Sequence, residues 1–148
     1  MNKNYVVDTN ALISYFHNVF NQGSSISKKG LDIIESGFKN YNVNLIFPTA
    51  VFIEIVEKWF INAEIAAKIK YEVFLEIKNQ ENMEIQPLDR EVLENFLKIV
   101  DIEENFKFDN HDKQIYAGAI TMNCPLITSD TRVIRYNERK KLVTEIIS

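Results

Sequence analysis

Short apolar runs alternate with longer helical patterns along this chain, and that alternation predicts an α/β fold around a parallel sheet. Two further observations support the prediction. The runs Tyr5 to Val7, Val43 to Phe47, Met83 to Leu88, Pro125 to Thr128 and Leu142 to Ile147 are of strand length. Acidic residues also stand directly after two of them, Asp8 after the first and Asp130 after the fourth. In an open parallel sheet the ligand crevice lies outside the carboxyl ends of the strands.

The elements follow in order. After the first strand a helix is expected from about Asn10 to Phe20, with Leu12, Ile13, Phe16, Val19 and Phe20 at helical spacing. Asn21 to Ser25 reads as a loop. A second helix spans Ser27 to Lys39, with Leu31, Ile34 and Phe38 on one face and Gly37 weakening its end. Pro48 stops the second strand, and Thr49 reads as the N-cap of a helix reaching about Phe60.

Asn62 to Asn79 is a clear amphipathic segment, with Ile65, Ile69, Val73, Phe74 and Ile77 inward, forming an antiparallel pair with its predecessor. Asp89 caps a helix from Arg90 to Val100, whose apolar stripe is Val92, Leu93, Phe96, Leu97 and Val100. Asp109 or Asn110 opens a helix to about Met122, and Thr131 to Arg139 forms a short one.

Bulk properties narrow the function. A chain of 148 residues has room for one domain, residues 1–148, with a real core. The hydrophobic content of 46% is that of a globular protein. A lone cysteine, Cys124, excludes an internal disulfide and points to a reducing, cytoplasmic setting. It reads as a small buried residue, not a nucleophile. The run after Met1 is too short for a signal peptide, and no stretch reaches the length of a membrane span. A net charge of −4 argues against holding nucleic acid by bulk electrostatics. Local binding is compatible with it, because the tail carries Arg132, Arg135, Arg139, Lys140 and Lys141.

Asp8, Glu54, Asp112 and Asp130 carry the chemistry. Carboxylates beside core runs are costly unless paired or bound to a cation. Each has an ordinary reading as well. Asp8 and Asp130 could cap helices, Glu54 could pair with Lys58 at i, i+4, and Asp112 could complement a helix dipole. Their joint placement towards one sheet edge favours a divalent site, and carboxylates with few nitrogen or sulfur ligands suit Mg²⁺ or Mn²⁺. Such an ion activates water for in-line attack on phosphorus and stabilises the leaving oxygen. Thr9, Asn10 and Thr128 are placed to hydrogen-bond the carboxylates, and Arg132 and Arg135 to grip an RNA backbone. Asp109 is most simply a helix cap that could join the site, and His111 a helix-start histidine that could orient a carboxylate. His17 has no companion ligands. Two histidines and one cysteine, well separated, argue against a structural zinc site.

The segments around these acids resemble the motifs of PIN-domain nucleases. Val6-Val7-Asp8-Thr9-Asn10-Ala11-Leu12-Ile13 is similar to the opening motif, and Pro48-Thr49-Ala50-Val51-Phe52-Ile53-Glu54-Ile55 to the second. His111-Asp112-Lys113-Gln114-Ile115-Tyr116-Ala117-Gly118-Ala119 resembles the third, and Leu126-Ile127-Thr128-Ser129-Asp130 the fourth. The resemblance implies a Rossmann-like five-stranded parallel sheet in order 3-2-1-4-5. It also implies a metal-dependent ribonuclease acting through Asp8, Glu54, Asp112 and Asp130. Membership in type II toxin–antitoxin pairs, as the VapC-like toxin, is frequent in that family.

An RNA substrate, a cognate antitoxin and a homodimer are the partners expected, with no membrane. Trp59-Phe60-Ile61 or the segment after it could face a second copy or an antitoxin. Tyr116 and Gly118 depart from the small, alanine-like residues common in the third motif, and the segment from Asn62 to Glu81 is long. Two other readings compete. A receiver-like phosphotransfer domain would present an acidic pair near the first strand's end, where Asp8 stands alone. An inactive PIN-like module would bind RNA or protein without cutting, and the presence of all four acids disfavours it.

Overall fold

Five strands carry the fold, and the apolar runs of the three central ones are largely buried. A computed structural model describes residues 2–100 and 108–148. The strands are β1 (Lys3–Val7), β2 (Val43–Pro48), β3 (Met83–Gln86), β4 (Leu126–Ile127) and β5 (Ile146–Ile147). They form one parallel sheet in the order β3-β2-β1-β4-β5, as expected. Central residues such as Val6, Val7, Leu45, Phe47, Leu126 and Ile127 are fully buried, as parallel sheets covered by helices require. The sheet order reverses at β1, which lies between β2 and β4. Because the strands run in parallel, Asp8 and Asp130 emerge on the same edge.

The helices are α1 (Thr9–Tyr15), α2 (His17–Phe20), α3 (Lys28–Glu35), α4 (Thr49–Trp59), α5 (Ala63–Lys68), α6 (Leu75–Lys78), α7 (Arg90–Leu97), α8 (Asn110–Met122) and α9 (Thr131–Lys140). The single helix expected from Asn10 to Phe20 is two, broken at Phe16 (φ −94°, ψ 36°). Ser14 Oγ donates to the Asn10 carbonyl at 2.8 Å and accepts from the Ser25 amide at 2.9 Å. A hydroxyl bonded back onto the preceding turn in this way bends a helix. Phe16 then packs edge-on against Tyr15 and Phe38.

α3 continues into a π-helical turn, Ser36–Asn40. Gly37 does more there than weaken a helix end. A Cβ at this position would lie 2.6 Å from Leu45 Cδ1, so the glycine lets the helix approach β2. Likewise α5 and α6 join through a π-helical turn, Ile69–Phe74, into the one rod expected from Asn62 to Asn79. Phe52, early in α4, meets Phe74, late in this rod, edge to face at 5.5 Å. The two therefore run antiparallel.

Four expectations shift. Thr49 is the first helical residue of α4, and the cap position belongs to Pro48, which makes no side-chain cap bond. β3 ends at Gln86 because Pro87 has no amide to continue the ladder. β5 is confined to Ile146–Ile147, because Asn137 takes both the amide and the carbonyl of Val143 at 3.0 and 3.2 Å. The α7 stripe is also rotated. Val92, Asn95 and Ile99 are buried, whereas Leu93, Leu97 and Val100 are exposed. Asn95 Nδ2 donates to Thr121 Oγ1 at 2.8 Å, so a polar residue sits in the contact with α8. Hydrophobicity alone could not anticipate that.

Candidate active site

Asp8 leaves the carboxyl end of β1 and caps α1. Its Oδ1 accepts the Thr9 amide at 2.6 Å, and its Oδ2 accepts Thr128 Oγ1 at 2.5 Å. The residue is 2% exposed. Burial pushes its carboxyl up to about 7, against the pull of the two hydrogen bonds and with help from the charges of Glu54 and Asp130.

Glu54, on the buried side of α4, accepts Lys58 Nζ at 2.9 Å. Asp112 lies in the first turn of α8, which Asp109 caps through the Asp112 amide at 3.0 Å. Burial and four neighbouring acids (Asp8, Asp130, Asp109 and Glu54) raise Asp112 to about 9. Carboxylate oxygens of Asp8, Glu54 and Asp112 all lie within 4.8 Å of one another. Like charges this close cannot all ionise without a cation between them.

Asp130 is not part of that trio. It caps α9, and its carboxylate is turned to Arg132, accepting the Arg132 amide at 2.9 Å, Nε at 3.3 Å and Nη2 at 3.2 Å. Its half-burial would raise the carboxyl, but the bonds and charge of Arg132 leave it below the ordinary value. Arg132 Nη2 also reaches Asp112 Oδ2 at 3.3 Å. Arg132 therefore lies against the acids, not outward along the tail. Arg135 is exposed and stands outside the cavity lining.

The anticipated polar support is present in part. Thr128 Oγ1 donates to Asp8 and accepts the Asp130 amide at 3.1 Å, tying two acids from separate elements. Asn10 Oδ1 accepts the Ser129 amide at 3.2 Å, and its Nδ2 reaches Thr128 Oγ1 at 3.5 Å. Thr9 supports Asp8 through its backbone. Its own Oγ1 is buried without a hydrogen-bond partner, and the residue lines the cavity that these acids share, about 260 Å³ in volume. An orphaned hydroxyl beside three converging carboxylates fits an all-oxygen divalent site with its bound water.

Six further residues line this cavity that the motifs do not single out for it: Ile13, Gln22, Gly23, Ser25, Trp59 and Lys58, the last legible in sequence only as a helix partner of Glu54. Trp59 is half-buried, with its ring edge-on to Phe20 at 5.7 Å. Glu54, Asp109 and His111 make a second group with ligand atoms within 4.8 Å. There His111 Nε2 lies 3.5 Å from Glu57. Cys124 is buried, and burial pushes its thiol up to about 11, in keeping with an inert residue. Asp8, Asp109 and Asp130 all do cap helices, so capping and convergence coexist in the same side chains.

The sequence profile of the PIN domain matches residues 5–139, nearly the whole chain and all four acids. The chain belongs to the PIN-domain family. Solved structures with the same fold include VapBC2 from Rickettsia felis, bound to a DNA fragment from its promoter. That match has 18% identity, a TM-score of 0.63, and coverage of 98% of this chain and 97% of the other. FitAcB from Neisseria gonorrhoeae is similar at 14% identity and a TM-score of 0.66, covering 97% and 96%. VapBC-5 from Mycobacterium tuberculosis, of the VapBC family of toxin–antitoxin systems, is similar at 16% identity and a TM-score of 0.58, covering 98% of each chain. Among curated proteins none matches. PIN-domain membership agrees with the observed strand order and with the acidic edge.

Proposed function

We propose that this PIN domain is a Mg²⁺- or Mn²⁺-dependent endoribonuclease, acting in the cytoplasm as the toxin of a toxin–antitoxin pair. The observation that carries the reading is the convergence of Asp8, Glu54 and Asp112. They come from the end of β1, the middle of α4 and the first turn of α8, and two of them hold protons far above the ordinary carboxylate range.

Asp8, Glu54 and Asp112 would hold the ion, with Asp130 at the margin. When bound, a divalent ion supplies Lewis-acid stabilisation of the phosphate and eases deprotonation of water. The chain's part is placement. Thr128 and the Thr9 amide fix both oxygens of Asp8, so that carboxylate needs little reorganisation. Lys58 holds Glu54, and Asn10 secures the Ser129 backbone that carries Asp130. Proton-bearing acids must release those protons to bind a cation, so binding should strengthen as pH rises.

For the partner, an apolar groove of about 470 Å³ lies between α4 and the rod that follows, lined by Phe52, Val56, Phe60, Tyr71 and Phe74 among others. It supports docking of an antitoxin segment of apolar character. The exposed Leu93 and Leu97 of α7, with Val100 just beyond it, support a homodimer contact. Among the described residues no helix is long and apolar enough to cross a membrane.

The test is cleavage of RNA by purified protein. Chelation with EDTA should stop it and Mn²⁺ should restore it. Cleavage indifferent to chelator removes the metal mechanism. Absence of cleavage with Mn²⁺ present would favour an RNA- or protein-binding module instead.

A further inference from the structure

Two cationic side chains line the acidic cavity among the described residues, Lys58 and Arg132, and each is seated on a carboxylate of the site. Lys58 takes Glu54 alone. Arg132 is shared, and its sharing is unequal. It offers Asp130 three N–H groups, from its backbone, Nε and Nη2, at 2.9 to 3.3 Å. It offers Asp112 only Nη2, at 3.3 Å. The oxygen it reaches belongs to a carboxylate of the converging trio. The Arg132 side chain is 40% exposed, so it has solvent to move into.

We propose that Arg132 is a built-in counter-cation of this site, which competes with the divalent ion for Asp112 and yields when the ion enters. This rests on the nuclease reading above and deepens it. A divalent ion and a guanidinium on one carboxylate repel each other, so occupation of the trio disfavours the Nη2–Asp112 contact. The three-fold hold on Asp130 survives that loss. Arg132 is thereby kept at the cavity rim with Nη2 released towards the space where an RNA phosphate lies against the ion. A guanidinium suits that second task, because its planar fork matches phosphate oxygens. Without metal, the same contact partly neutralises acids that would otherwise face one another unscreened. Arg132 is a positioning residue on this account, and Asp130 its anchor.

The experiment measures Mn²⁺ binding directly, by calorimetry and by the EPR signal of free Mn²⁺, with no RNA present. Wild type, Arg132→Gln, Arg132→Lys and Asp8→Asn are compared at pH 7 and low salt. Arg132→Gln should bind Mn²⁺ about 10-fold more tightly than wild type, while its metal-free melting temperature falls. Arg132→Lys, which keeps charge but loses the fork, should lie between. A purely structural arginine would lower stability and leave Mn²⁺ affinity unchanged or weaker, and either result for Arg132→Gln overturns the proposal. Should Arg132→Gln fail to fold, a crystal structure of the wild type with Mn²⁺ decides. Nη2 must then have left Asp112 while still bonded to Asp130, and an intact contact beside a bound ion overturns the proposal. Wild type that binds Mn²⁺ and loses it in Asp8→Asn, with Arg132→Gln unchanged, rejects only the counter-cation. Wild type that binds no Mn²⁺ rejects both readings.

Discussion

Helix α4 serves two regions of opposite character. On one side Glu54 meets Asp8 and Asp112 in a polar cavity of about 260 Å³. On the other, Phe52, Val56 and Phe60 line the apolar groove of about 470 Å³ against the following rod. The acidic cavity is made by residues distant along the chain, and burial there penalises the charged forms of Asp8, Asp112 and Asp130. The groove is made by neighbours in sequence and leaves apolar surface exposed. Energy is stored in the first as crowded acids that Lys58 and Arg132 offset only in part, and in the second as unburied hydrocarbon. On the proposed function a cation would relieve the one, and a protein partner the other. The acidic cavity and the apolar groove are thus separated by the width of a single helix.

The strongest way to break this comparison is at Asp8. Asp8→Asn should lower RNA cleavage by about 10³-fold or more while circular dichroism and melting stay close to wild type. Retained cleavage would remove Asp8 from the site, and a collapsed fold would make its role structural.

Titration without metal comes next. Unfolded aspartates lose their proton near 3.9, whereas Asp8 and Asp112 in the fold are raised to about 7 and about 9. The folded state therefore holds protons that the unfolded chain has given up. Stability from these groups is complete below about pH 4 and declines as pH rises through 7 and 9. In EDTA the melting temperature should fall from pH 5 to pH 9, by on the order of a few kcal/mol in stability, and Mn²⁺ should suppress the fall. A flat profile in EDTA would mean that these carboxylates are not held close together.

The groove should respond in the opposite sense. Phe52→Ala removes the edge contact with Phe74 and opens a void, costing about 1–3 kcal/mol with little change in cleavage per folded molecule. Phe60→Glu, at an exposed rim position, should leave both stability and cleavage nearly intact and weaken binding of an antitoxin. An equal loss of cleavage in these variants would merge the two regions into one.

The smallest effect is expected on α7. Leu97 is 69% exposed, so Leu97→Lys should change monomer stability by no more than about 0.5 kcal/mol. A shift from dimer to monomer by sedimentation would assign that face to self-association, and an unchanged state would free it of that role.

Residues near one another in sequence made much of this protein legible. The apolar run stopped by Pro48, the caps at Asp89 and Asp109, and the periodicity of residues 62–79 follow from local sterics and hydrogen bonding. So does the pairing of Lys58 with Glu54 one helical turn away. The stop before Pro87 and the cap at Ser27 come from the structure. The motifs around Asp8, Glu54, Asp112 and Asp130 pointed to the family and, through it, to the strand order.

What sequence could not settle depends on contacts between distant elements. Arg132 reads as one more basic residue of the tail, yet β4 and α9 carry it onto Asp112 and Asp130. α7 turns Leu93 and Leu97 outward, with Val100 exposed just beyond its end, while its Asn95 bonds Thr121 on α8. Asp130 lies outside the trio that Asp8, Glu54 and Asp112 form, although all four follow the same motif logic. Charges and hydrogen bonds act over a few ångströms of space. Only the folded chain says which of them share those few ångströms.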